Sequence, residues 1–159
     1  MLKEKENKMS NVILRSQNRF LQIKTEFIVI ICLAVLIIGC TSIAPFSETA
    51  YNKSTSIKAS SIALMDKAEE PYSNHSGKVE TLLLEAQKAY EYAKERPKNS
   101  ESTGQWAIMI DSNKNMLAGF FKRWKEKVKL DRTFIDYSKK QIGAGLDTIS
   151  ALESGKEKK

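Results

Sequence analysis

The feature that most constrains this chain of 159 residues is an uncharged apolar run near its N-terminus, FIVIICLAVLIIGC, at residues 27–40. It follows a segment in which six basic side chains outnumber three acidic ones, and the last of the basic ones is Lys24. A basic stretch followed by about 7–15 apolar residues is the layout of a secretory signal peptide. The basic flank stays on the cytoplasmic side, so the residues after Cys40 are expected beyond the inner membrane.

The apolar run ends in the tetrad Ile37-Ile38-Gly39-Cys40, which resembles the lipobox of bacterial lipoproteins. The resemblance covers residues 10–42. It implies that the Cys40 thiol receives diacylglycerol and that a peptidase cleaves between Gly39 and Cys40, so that Cys40 becomes the first residue of the mature chain. No cofactor is expected besides this covalent lipid. One acyl chain, at about 0.8 kcal/mol per buried CH₂, holds a protein only marginally, whereas two or three chains hold it firmly.

A second interpretation of the same segment is an uncleaved single-pass anchor. The uncharged stretch continues to Phe46, and the 20 residues of 27–46 match the length that spans a bilayer. Thr41, Ser42 and Pro45 count against this alternative. Either anchor places the C-terminal part outside the cytoplasm, in the bacterial cell envelope. If the organism has two membranes, Thr41 in place of the retention Asp of the lipoprotein family favours the outer membrane, facing the periplasm.

The composition favours an all-α protein, because the chain has only 7 glycines and 3 prolines. We expect a signal peptide at 1–39, the lipidated Cys40 with a Ser/Thr-rich tether at 40–55, a helical domain at 56–154 and a charged tail at 155–159. The net charge of +7 divides into +3 before Cys40 and +4 after it. A surplus of +4 suits weak attraction to an anionic lipid or polymer, and an exported protein is not expected to bind nucleic acid.

Apolar spacing predicts about four helices in a small antiparallel bundle. The first has Ile57, Leu64 and Ala68 on one face and ends before Pro71, and the second runs from Val79 to Arg96. A loop is expected at 97–104, then a short segment with Trp106, Met109 and Ile110. The third helix covers 116–127, and the last begins after Asp131 as N-cap.

No arrangement of residues points to catalysis, and the chain is not expected to be an enzyme. His75 is the one histidine, in the turn SNHSG, where we expect it to be exposed. A catalytic triad would need a nucleophile beside it, and no nucleophile-elbow motif or free thiol is present after Cys40. No spacing of His, Cys or Asp suggests a metal site.

The stretch GFFKRWKEKVK, residues 119–129, interleaves aromatic and basic side chains. An interfacial amphipathic helix shows this composition, so the candidate membrane or ligand contacts are Phe120, Phe121, Trp124, Lys122 and Arg123. The i, i+1, i+4 spacing of the three rings, however, also lets one helix face bury all of them in a core. Core packing is the favoured interpretation.

Two classes of function follow. The favoured one is a non-catalytic structural or interaction lipoprotein whose partner is an envelope protein or polymer, with its oligomeric state left open. The alternative is a module that binds a small apolar ligand or lipid. It predicts an apolar cavity of several hundred Å³, lined by Trp106, Phe120, Phe121 and Trp124.

Overall fold

The computed structural model describes residues 43–156. They form five α-helices, α1 (Glu48–Met65), α2 (Ser76–Glu95), α3 (Ser100–Ile110), α4 (Leu117–Lys127) and α5 (Arg132–Ser154), with a 3₁₀ turn at Tyr72–Asn74 between α1 and α2. No strand occurs in this part of the chain, so the all-α prediction is confirmed for it. The predicted signal peptide at 1–39 and Cys40 lie outside the described residues.

Four of the helices pack against one another side by side. α1 contacts α2 and α5, and α3 contacts the same two helices. Hydrogen bonds and ion pairs show that α1 and α5 run antiparallel, because the residue number on the α5 side falls as the residue number on the α1 side rises. These pairs are Ser54–Ser150, Lys58–Asp147 and Asp66–Lys139. Each helix thereby buries one face against two neighbours.

The remaining helix, α4, contacts α3 and the 3₁₀ turn at Tyr72–Asn74. Phe120 of α4 stacks on Phe134 of α5, with ring centroids 5.9 Å apart and an interplanar angle of 1°. The segment after α4 is tied to the end of α1 by a hydrogen bond of 2.8 Å from the Leu130 amide to the Ala68 carbonyl. α4 therefore lies beside the N-terminal part of α5.

Local signals explain where two of the helices begin. Ser47 precedes α1, and its hydroxyl accepts a hydrogen bond of 3.2 Å from the Ala50 amide. Asp131 precedes α5, and its carboxylate accepts one of 2.8 Å from the Phe134 amide. Such caps satisfy amides that have no partner within the helix. The predicted N-cap at Asp131 is confirmed.

The tether predicted at 40–55 differs from the structure, which begins a helix at Glu48. Ser54, one of the serines that suggested a flexible segment, is a core residue, because it is fully buried. The Ser54 hydroxyl lies 2.8 Å from that of Ser150 on α5. Small side chains allow α1 to approach its neighbours closely, and the helical domain therefore starts before residue 56.

The loop predicted at 97–104 is shorter in the structure. α3 already begins at Ser100, so that Trp106 and Met109 belong to a helix of 11 residues that includes part of the predicted loop. Both side chains are buried in the core. Polar residues and Gly104 lower the helix propensity of this stretch, and burial of its apolar face overrides that propensity.

The charged tail predicted at 155–159 differs from the structure at Lys156, which is only 9% exposed. Its Nζ donates to Glu153 Oε2 at 2.6 Å and to Asn99 Oδ1 at 2.5 Å. Glu153, 2% exposed, also accepts hydrogen bonds of 2.8 Å from Arg96 Nη1 and from the Ser47 amide. We call these five residues the Glu153 cluster. They join both termini of the described unit to the α2–α3 connection.

Candidate functional site

The structure separates the two kinds of side chain that the sequence interleaves on α4. Phe120, Phe121 and Trp124 are buried, and Lys122 and Arg123 are exposed. The three rings are part of the buried core, which supports the core-packing interpretation. Gly39 and Cys40, the predicted cleavage and lipidation site, lie outside the described residues.

Ring contacts hold the buried face of α4 in place. Phe121 lies edge-on to Phe120, with centroids 5.4 Å apart, and Trp124 meets Tyr72 edge-on at 5.5 Å. The Trp124 indole also donates a hydrogen bond of 3.0 Å to the Glu70 carbonyl. Aromatic pairs in such geometries contribute about 0.5–1.5 kcal/mol beyond their buried area. The orientation of α4 is thus set, and its basic residues face outward.

The exposed side of α4 borders a cleft of about 630 Å³, which we call the basic cleft. Its walls are the 112–115 turn, α4 and α5. Four basic residues line it, Lys114, Lys122, Arg123 and Lys127, and Glu126 is the one acidic residue among its lining residues. Polar groups complete the lining: Ser112, Asn113, Asn115, Tyr137, Ser138 and Gln141. The arrangement presents hydrogen-bond donors under a positive potential.

Gly119 allows the 112–115 turn to approach α4. A Cβ atom at this position would overlap the carbonyl oxygen of Lys114. The turn itself is held by a hydrogen bond of 2.8 Å from the Asn113 amide to the Asp111 carboxylate. The shape of the cleft therefore depends on a glycine that the sequence analysis did not single out.

Basic side chains near the cleft have no acidic partner within residues 43–156. The six in question are Lys114, Lys122, Arg123, Lys125, Lys127 and Lys129, and none takes part in an ion pair there. Elsewhere in the unit most basic residues are paired, as Lys58 is with Asp147 and Lys139 with Asp66. The guanidinium of Arg123 lies over the Phe134 ring, 4.4 Å from its centroid. The net positive charge is concentrated at this site.

A second groove, of about 970 Å³, lies between α1 and α2. Its apolar residues include Ile57, Leu64 and Leu82, and hydroxyl and amide side chains such as Ser56 and Thr81 surround them. None of the four aromatic residues proposed for a ligand cavity lines this groove. Trp106, Phe120, Phe121 and Trp124 are instead part of the buried core.

His75 differs from its prediction as an exposed turn residue, because its side chain is only 12% exposed. Its Nε2 lies 2.7 Å from Glu70 Oε2, and its ring centroid lies 5.6 Å from that of Trp124. The hydrogen bond from His75 lowers the pKa of the Glu70 carboxyl below its ordinary value. These contacts join the turn before α2 to α4, and no serine or threonine hydroxyl is hydrogen-bonded to the imidazole within residues 43–156.

Residues 43–156 contain no group of three or more His, Cys, Asp or Glu side chains that could hold a metal ion. None of their helices combines the length and the apolar character needed to cross a bilayer. Comparison of the chain with protein-family models, curated proteins and solved structures gives no match.

Proposed function

We propose that this protein is a lipid-anchored envelope protein whose helical unit binds a partner rather than catalysing a reaction. The observation that carries the proposal is the group of six basic side chains, from Lys114 to Lys129, that have no ion-pair partner among residues 43–156. Like charges gathered beside a cleft add nothing to the stability of a fold, because they repel one another. Their concentration at one site is typical of a binding surface.

The proposed anchor is lipid on Cys40, after cleavage at Gly39–Cys40. Ala44 already belongs to the folded unit, since its amide donates a hydrogen bond of 2.9 Å to the Lys98 carbonyl. A chain spans at most about 3.6 Å per residue, so the four Cα-to-Cα steps from Cys40 to Ala44 allow roughly 14 Å. The proposed lipid would therefore keep the folded unit close to the membrane surface, where a short link limits the volume that it explores.

The Glu153 cluster suits a protein held by its N-terminal end. Ser47, next to the proposed anchor in sequence, is hydrogen-bonded to Glu153 at the far end of the chain. Arg96 donates to the Pro45 carbonyl and to the same carboxylate. Tension on the anchor would thus be distributed over α2 and α5 rather than over the first turn of α1 alone.

The lipid anchor is tested by feeding bacteria that express the full chain a labelled fatty acid and measuring the label and the mass of the protein. Wild-type protein should carry the label and lack residues 1–39. The Cys40→Ala variant should be unlabelled, and the matched Cys32→Ala variant should keep the label, because Cys32 lies within the proposed signal peptide. Full-length, unlabelled wild-type protein in the membrane fraction would refute lipidation and favour the single-pass anchor.

A second candidate function is binding of a small apolar ligand, and the specific observation that favours it is the α1–α2 groove of about 970 Å³. Its volume lies within the usual range of ligand sites, about 300–1,000 Å³. The test is titration of a fluorescent fatty acid into the full chain and into the Ala63→Trp variant, which would fill the groove. Equal binding by both proteins, or binding by neither, would remove this candidate.

A further inference from the structure

We propose that the basic cleft binds an anionic polymer that carries phosphate groups. The proposal names the partner for the binding role suggested above and rests on that proposed function. Four cationic side chains and one carboxylate line the cleft, and Lys125 and Lys129 extend the positive charge along and beyond α4. A chain with a repeated negative charge can neutralise several of these groups at once, which a single small anion cannot do.

The geometry of Arg123 favours phosphate as the recognised group. Its guanidinium is held over the Phe134 ring at 4.4 Å, so part of the side-chain freedom is already lost before a ligand arrives. A planar guanidinium donates two parallel hydrogen bonds to phosphate oxygens, and neighbouring lysines supply point charges. Lys122 and Lys127 are exposed residues of the same cleft.

The remaining lining residues provide donors without charge. The 112–115 turn contributes Ser112, Asn113 and Asn115, and α5 contributes Ser138 and Gln141. Hydroxyl and amide groups can donate to phosphate and to the hydroxyls of a sugar or polyol backbone. The cleft is partly open to solvent and has a volume of about 630 Å³. A segment of a polymer chain can therefore enter it and contact these donors.

A free polymer is a better match than the anchoring membrane. The α4 rings that would enter a bilayer are buried, and Tyr137 is the one aromatic side chain strongly exposed among the residues lining the cleft. The α5 residues of the cleft, from Phe134 to Gln141, precede Glu153 by roughly 18–28 Å along the helix at 1.5 Å per residue. The cleft is thus remote from the end of the bundle that follows the proposed anchor.

The test is isothermal titration of linear polyphosphate into the full chain in a neutral detergent, at several salt concentrations. We compare the wild type with Lys122→Gln/Lys127→Gln, which removes two charges from the cleft. The matched control, Lys53→Gln/Lys78→Gln, removes two lysines that also have no ion pair within residues 43–156 and lie by the α1–α2 groove. Lys122→Arg/Lys127→Arg keeps the charge. Circular dichroism confirms that all four proteins are folded.

The cleft variant is expected to bind polyphosphate about tenfold more weakly, because two charge contacts are lost. The slope of log affinity against log salt should fall by about 1 to 2. The control pair should change affinity by less than about twofold, since neither Lys53 nor Lys78 lines the cleft. The arginine pair should bind as the wild type does.

Four outcomes would overturn the proposal. They are absence of polyphosphate binding by the wild type, an equal loss in both glutamine pairs, equal affinity for polyglutamate, and clustering of anionic vesicles that requires Lys122 and Lys127 when no polymer is bound. The last outcome would assign the cleft to a membrane surface. The titration measures binding at the cleft, and the fatty-acid labelling measures lipidation of Cys40. Either proposal can therefore fail without the other.

Discussion

Replacing Glu153 by glutamine tests whether the Glu153 cluster holds the ends of the bundle together. The carboxylate is 2% exposed and is opposed by two cations, Arg96 at 2.8 Å and Lys156 at 2.6 Å. Glutamine has nearly the same volume, so the core packing stays intact. It has no charge, however, and its side-chain NH₂ group would face one of the groups that now donate a hydrogen bond to the carboxylate. Two cations would then remain at a poorly solvated site.

The expected cost is about 3 kcal/mol, at the lower end of the 3–5 kcal/mol found when one partner of a buried ion pair is removed. In a unit of this size each kcal/mol lowers the melting temperature by about 4 °C, so the melting temperature should fall by roughly 12 °C. Thermal and urea denaturation of the full chain, followed by circular dichroism at 222 nm, measure both quantities. The urea slope should not change, because the buried area is the same.

The matched control is Glu91→Gln, since Glu91 faces Lys94 across an exposed contact of 3.7 Å. Exposed ion pairs contribute about 0–1 kcal/mol, and this variant should unfold within a few degrees of the wild type. A cost below about 1 kcal/mol for Glu153→Gln would contradict this expectation, since an exposed ion pair alone contributes up to that amount. The cluster would then be dispensable for joining the ends of the unit.

Three further predictions concern stability. Gly119→Ala should cost about 1–3 kcal/mol in urea denaturation, because its Cβ would overlap the Lys114 carbonyl oxygen. Gly104→Ala, within α3 and with no atom within 4 Å of the added Cβ, should instead stabilise the protein by up to about 1 kcal/mol, and a loss there would contradict the helix assignment. A hydrogen bond from Lys139 lowers the pKa of Asp66 below its ordinary 3.8, so the stabilisation is present above that pH and is lost as the pH falls below it. On acidification through this range, the melting temperature of the wild type should therefore fall further than that of Asp66→Asn. Parallel plots of melting temperature against pH for the two proteins would exclude a contribution from the Asp66–Lys139 pair.

Sequence patterns predicted the parts of the fold that depend on neighbouring residues. α2 follows from apolar residues spaced at three and four positions, and its predicted span agrees with Ser76–Glu95 to within a few residues. The carboxylate of Asp131 caps α5 three residues ahead, which is a contact within one turn. The side of α4 that carries Phe120, Phe121 and Trp124 was predicted from spacing alone. Such signals are local, so they can be read without knowing what packs against the helix.

Contacts between distant residues decided the remainder. From its sequence context Ser54 was predicted to lie in a flexible linker, whereas in α1 its hydroxyl is hydrogen-bonded to Ser150 of α5. Lys156 was predicted to belong to a charged tail, whereas its ammonium group donates hydrogen bonds to Asn99 and Glu153. For the candidate site, residue spacing predicted basic residues opposite an aromatic face on α4. That these charges have no ion-pair partner within residues 43–156 and border a cleft became visible in the folded arrangement, because pairing and concavity depend on which other elements approach. Sequence spacing does not contain that information.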